Sequence, residues 1–385
     1  MIAKLVAIFL FVALPVWAGE GARLAYLGVN ADPHYEPNPV YTGLSLKDRQ
    51  RPIEGARLAF RDARVLGRAL GVTFELEEVL AAPGKVVEAL ESIRSKHPLA
   101  VLLDLPPEDM RTVLANRIED DLFIIVRDPS NHWREADCAP NLLHAVPSTS
   151  MLTDALAQLL RAQGWENVLL LLGPTAADAE QSEAVGKSAT KFGLQIVDER
   201  GFELSNDPRR RERNNLALLT GGARYDIIWL IDSQGDFGRY LPYATYDPRP
   251  VVGSEGLMPL AWHWTFERYG APQLNQRFRK FAKRDMISED WAGWAAVRSV
   301  MDAVSAVGGV DPAAVHEALQ SETLSVDLYK GVRGNFRSWD GQLRQPILLT
   351  THNSVIAVAP IEGFEHQFDT LDTLGADRAE SLCLR

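Results

Sequence analysis

The chain lacks most of the local patterns on which catalysis is usually built. No G-x-S-x-G elbow presents a nucleophilic serine. No G-x-x-x-x-G-K-[ST] loop cradles a phosphate, and no G-x-G-x-x-G follows the first expected strand. The eight histidines include no H-x-x-x-H or H-E-x-x-H pair, and the two cysteines, Cys138 and Cys383, stand far apart, so no metal site is expected. A basic excess is also missing. Lys and Arg number 40 against 51 Asp and Glu, a formal charge of −11, which argues against nucleic acid and anionic membrane surfaces as partners. Beyond the N-terminus no apolar run reaches the roughly 18 residues that a membrane-spanning helix needs.

What is present begins with MIAKLVAIFLFVALPVWA, residues 1–18. Lys4, the apolar run 5–14 and Val16-Trp17-Ala18 have the charge, length and small-residue end of a cleavable secretory signal. The expected mature protein is periplasmic, without direct membrane insertion. It keeps 367 residues, more than one hydrophobic core usually serves, so two lobes are expected. An exported chain allows one disulfide, Cys138–Cys383, or two separate thiols.

Strand-like and helix-like segments alternate. Residues 23–30, 72–80, 99–105 and 122–126 read as strands, with helices at 53–71 and 84–96 and another from Pro106. A second series begins near Leu142: strands 142–146, 167–172, 194–198, 226–231 and 250–253, and helices 151–164, 178–193 and 209–220. Short apolar runs such as LAVLLDL suit strands buried on both faces of a parallel sheet. The expected fold is α/β: two doubly wound parallel-sheet lobes with a hinge and an inter-lobe cleft. Residues 19–143 and 262–344 are assigned to one lobe, and 144–261 and 345–385 to the other. Ligands of such sheets sit beyond the carboxyl ends of the strands, which places the expected site in the cleft.

The stretch from Asp290 to Thr350 is the most specific. It reads DWAGWAAVRSVMDAVSAVGGVDPAAVHEALQSE, then YKGVRGNFRSWDGQLRQPILLT. This order resembles the end of the type I periplasmic binding proteins, the branched-chain amino-acid-type receptors of ABC importers. The helix IEGARLAFRDAR, the segment NLLHAVPSTSMLTDALAQLL and the segment VGSEGL resemble further parts of that pattern. The runs at 39–60 and 252–278 are similar to a subfamily encoded alongside pyrroloquinoline-quinone (PQQ)-dependent alcohol dehydrogenases. The resemblance implies a non-enzymatic solute receptor, monomeric and without cofactor, whose partners are a small-molecule ligand and an inner-membrane permease. A sensor feeding a membrane kinase, or an accessory protein of the dehydrogenase, is the alternative.

The resemblance places Glu255 where an acid meets a ligand ammonium. Amino-acid receptors hold the ligand carboxylate on a hydroxyl-rich loop after the third strand. Here that loop is Asp104-Leu105-Pro106-Pro107-Glu108-Asp109, which offers no hydroxyl, loses two N–H donors to proline and repels an anion. Ser148 and Thr149 either face the cleft or cap the helix behind them. Arg127, Asp128 and Asn131 follow the fourth strand, and Asp232 and Ser233 end the strand DIIWLID. Tyr35, Tyr41, Trp262 and His263 are candidate aromatic walls, with interface packing as the alternative. Trp291 and Trp294 are expected in the core.

Overall fold

The computed structural model describes residues 20–36, 49–203 and 207–383. The expected signal, residues 1–18, and Tyr41 lie outside them. In chain order the elements are β1 (Glu20–Val29), α1 (Ile53–Leu70), β2 (Val72–Ala81), α2 (Val86–Arg94), β3 (Ala100–Asp104), α3 (Pro107–Ala115), β4 (Phe123–Ile125) and β5 (Leu142–His144). Next come α4 (Thr149–Ala162), β6 (Asn167–Leu172), α5 (Ala176–Phe192), β7 (Gln195–Gly201), α6 (Leu216–Thr220), β8 (Ile227–Ile231), α7 (Leu241–Ala244) and β9 (Val251–Gly253). The chain closes with β10 (Met258–Leu260), α8 (Ala271–Ala282), α9 (Ser288–Val307), α10 (Pro312–Gln320), the short pair β11 (Val326–Asp327) and β12 (Arg333–Gly334), β13 (Ile347–Thr351) and β14 (Ser354–Ala359).

Two parallel sheets dominate. The first has the order β2-β1-β3-β4-β5 and the second β7-β6-β8-β9, while β10-β13-β14 form an antiparallel sheet beside the second. The α/β class with parallel sheets is as expected from the alternation. The strand at 142 pairs with β4, Phe123 opposite Leu142, and so closes the first sheet rather than opening the second. Apolar content cannot distinguish these outcomes, because only the pairing partner differs. The expected helix 209–220 is a 3-10 segment, Pro208–Asn214, followed by α6. Asn215 divides them, because its side chain accepts the amides of Ala217 and Leu218 and restarts the helix.

One core surrounds the first sheet and includes α1, α8 and α9; two smaller clusters cover the faces of the second sheet. Burial follows residue type: Leu102, Leu103, Ile124 and Leu143 are fully enclosed, as are Leu170, Ile228 and Leu230. The chain passes between the two regions near residues 147–150, 253–260 and 343–347. Buried polar groups tie these passages together. Gln345 donates to the Ala145 carbonyl at 2.9 Å, and Lys330 donates to Gln345 Oε1 and the Pro346 carbonyl at 3.0 Å each. The Lys330 ammonium also lies 3.6 Å from the Trp291 ring centroid. Arg337 and Arg344, both buried, converge on Asp372 and anchor the C-terminal tail, whose Cys383 is bonded to Cys138.

Candidate functional site

In an open parallel sheet the crevice opens where the strand order reverses, between strands whose crossovers leave on opposite faces. The first sheet reverses between β1 and β3 and the second between β6 and β8. Both points carry dense polar groups, most of them from residues far apart in sequence.

At the first point the last residue of β3, Asp104, is fully buried. Its Oδ1 accepts the Tyr35 phenol at 2.5 Å, and its Oδ2 accepts the Tyr26 phenol and Arg51 Nη1, the latter at 2.8 Å. Arg127, just beyond β4, lies 3.3 Å from Asp104 Oδ1 and donates to Asp32 Oδ2 at 2.6 Å. Asp32 also accepts the His34 amide. The Arg51 guanidinium stands 4.3 Å from the Tyr35 ring centroid and donates to the Val29 carbonyl. Close packing of α1 on α9 fixes the approach of Arg51. A Cβ on Gly293 would sit 2.3 Å from the Pro52 carbonyl oxygen, so only glycine fits there.

These contacts set the titration of the cluster. Burial, then the Asp104 charge, pushes both phenols up. Burial pushes Asp32 up, but hydrogen bonds from Arg127 and the His34 amide outweigh it and hold the carboxyl below its ordinary range. Burial, helped by Arg127 and Arg49, lowers the His34 imidazole to about 4. Burial and then Glu108 and Asp32 raise Asp109 in the first turn of α3.

At the second point Thr175, before α5, and Ser233, after β8, bring their hydroxyls to 2.9 Å. Asp178 accepts the Ser233 amide at 2.8 Å and the Thr175 hydroxyl at 2.7 Å. Asp232, 2 % exposed, accepts the amides of Gly235 and Gly238 and so shapes the loop after β8. Glu255 follows β9 and crosses Gly238, where a Cβ would lie 2.8 Å from its Cγ. The two points face each other. Arg49 reaches from His34 Nδ1 to the Ser233 carbonyl, 3.4 Å in each case, and His132 Nδ1 lies 3.9 Å from Glu180.

Of the residues expected from sequence, Tyr35, Arg127, Asp232, Ser233 and Glu255 lie at these strand ends. Asp128 accepts the Ser130 amide and the Trp133 indole, and Asn131 accepts the Ser150 amide, so both shape the loop beyond β4. Ser148 caps α4 through the Met151 amide and is buried beside Gly375 of the tail, while the Thr149 hydroxyl donates to the Pro129 carbonyl. Trp262 does not form a wall of the cleft. It is 1 % exposed, donates to Asn275 and stacks on Trp291 in the first core. His263 is buried against Thr265. Trp291 and Trp294 are both in the core. Sequence reasoning missed Tyr26, Asp32, His34, Arg49, Arg51, Thr175 and Asp178; only Thr175 and Asp178 carry a local signal, the capping-box spacing. Among the described residues no group of three or more metal-ligating side chains is assembled, and no helix is long and apolar enough to cross a membrane.

No protein-family model matches the chain, and no curated protein does. Solved structures do. The α/β fold with its parallel sheets matches that of the type I periplasmic binding proteins. A branched-chain amino acid ABC transporter periplasmic ligand-binding protein from Burkholderia xenovorans LB400 superposes with a TM-score of 0.69 at 15 % identity, covering 94 % of this chain and 99 % of that one. An amino acid ABC transporter substrate-binding protein from Pseudomonas fluorescens Pf-5 gives 0.68 at 12 %, covering 96 % and 100 %. An ABC transporter solute-binding protein from R. palustris, in complex with benzoate, gives 0.65 at 14 %, covering 94 % and 99 %. At these identities the likeness is one of fold.

Proposed function

We propose that this chain is the periplasmic solute-binding component of an ABC importer, not an enzyme, and that its small-molecule ligand sits between the two switch points. The observation that carries this reading is the pair of polar strand ends facing each other across the passage that Arg49 spans. A ligand touching both ends stabilises the closed arrangement, because only that arrangement offers both sets of contacts. The binding-protein names of the structural neighbours support the same reading. The resemblance of segments 39–60 and 252–278 to the subfamily encoded beside PQQ-dependent alcohol dehydrogenases supports a role linked to periplasmic alcohol oxidation and leaves the ligand open. The permease is its proposed membrane partner, and the monomer its proposed working form.

A thermal-shift screen over alcohols, aldehydes, acids and amino acids tests the proposal, since a ligand bound only by the folded state raises the melting temperature. A saturable rise is expected for at least one class, and Glu255→Ala is expected to weaken the best ligand. A flat response across a broad panel would remove the main support for the reading.

A further inference from the structure

The first switch point is a complete carboxylate receptor, and the chain's own Asp104 fills it. Four donors from separate parts of the sequence converge on this one side chain: Tyr26, Tyr35, Arg51 and Arg127. Each carboxylate oxygen meets one phenol and one guanidinium, the donor types best suited to a planar anion. Asp104 is 0 % exposed. The two arginines are matched by two acids, because Arg127 is shared with Asp32. Neither Arg51 nor Arg127 is left unmatched for a further anion, which would approach Glu108 and Asp109 at the start of α3. The neighbouring Arg49 has no carboxylate partner among the described residues and bridges His34 Nδ1 to the Ser233 carbonyl instead. Desolvating a charge without a partner is strongly unfavourable.

We propose that Asp104 is a resident anion that denies the first half of the cleft to carboxylates, so that the solute meeting this end is uncharged there. It is a hydroxyl- or carbonyl-bearing compound, with the Thr175–Ser233 hydroxyl pair as the facing hydrogen-bonding surface. This rests on the solute-binding reading, which it narrows to a ligand class.

The test uses the full-length protein and size-matched probes: benzyl alcohol, benzaldehyde and benzoate on the wild type, and acetate on Asp104→Gly. Benzoate is expected to leave the wild-type melting temperature where an equal concentration of chloride leaves it. Asp104→Gly vacates the receptor, so acetate is expected to raise its melting temperature saturably, by about 2 °C or more once the vacated site is filled. Asp104→Asn keeps the space occupied and is expected to show no such rise. Saturable wild-type stabilisation by benzoate would overturn the proposal. So would an Asp104→Gly protein no more sensitive to acetate than the wild type. If Asp104→Gly does not fold, the wild-type benzoate titration still decides. A wild type that ignores every uncharged solute counts against the binding reading, and acetate capture by Asp104→Gly then still decides the resident-anion proposal.

Discussion

Replacing Arg127 by Met tests whether the cluster at the first switch point is a working set of ion pairs. Met keeps much of the aliphatic stem and removes the guanidinium. Asp104 would keep Tyr26, Tyr35 and Arg51. Asp32, 3 % exposed, would keep the His34 amide and lose its bond to Arg127. Removing one partner of a buried pair costs about 3–5 kcal/mol, mostly from the charge left behind. The donors that remain place the expected loss at about 3 kcal/mol, near the lower end of that range. The loss is pH-dependent. Arg127 helps to hold the Asp32 carboxyl below its ordinary value. That contribution is therefore present above the unfolded-state pKa of about 4 and disappears as pH falls through the lower folded-state value. Guanidinium unfolding followed by far-UV circular dichroism at pH 7 and near pH 3 provides the comparison. The deficit of Arg127→Met should be large at pH 7 and smaller at the acidic pH. A deficit under about 1 kcal/mol at pH 7, the scale of an exposed pair, would refute the buried-pair argument. A deficit equal at both pH values would refute the role given to Asp32.

Three further outcomes follow from the same physics. His34 is held neutral, with its folded pKa lowered to about 4, so the unfolded chain takes up the proton first and stability should fall as pH drops from about 6.5 to 4. With the ring partly open to solvent the loss is about 1–2 kcal/mol, and His34→Gln should flatten the slope of stability against pH over that interval. Asp372→Ala would remove the carboxylate shared by two buried guanidiniums, Arg337 and Arg344, leaving Arg337 the Leu371 and Leu374 carbonyls and Arg344 the Asn335 side chain. It should cost about 3 kcal/mol in equilibrium unfolding; a loss within experimental error would show that the tail is not anchored there. The Cys138–Cys383 bond spans a sequence separation of 245, which in the chain-entropy model stabilises by up to about 5 kcal/mol. Cys383→Ser and reduction of the wild type should lower the melting temperature alike, and identical melting of oxidised and reduced protein would contradict this.

The strands and helices of the parallel sheets were largely legible because burial on both faces leaves continuous apolar runs such as LAVLLD and DIIWLI. Gly71 and Gly193 mark helix ends in the sequence and adopt the left-handed conformation in the structure. Sheet membership was less legible. β5 reads like any other short apolar strand, and only its register with β4 places it in the first sheet. Helix α8 is not among the helices expected from the sequence, although Pro272 stands at its start and Leu274 and Phe278 share one face. The polar site was hardest of all. Tyr26, Tyr35, Arg51, Asp104 and Arg127 are brought together by strand order, and no spacing along the chain announces them. The acids and prolines after β3 did signal an unusual loop. That Asp104 itself occupies the anion position emerges only from its partners. Trp262 shows the converse: a conspicuous aromatic triplet with His263 and Trp264 placed its first ring in the core, where α9 supplies Trp291 to stack on it.

The central claim is that a solute binds between the two switch points. The most direct measurement is hydrogen exchange by mass spectrometry, with and without the best ligand from the screen. Slowed exchange is expected in two sets of segments at once: residues 30–36, 104–110 and 126–131 on one side, and 173–178, 232–238 and 253–257 on the other. Protection confined to β14 and the facing residues 265–269, which line a separate cavity of about 660 Å³, would contradict it, as would protection on one side alone.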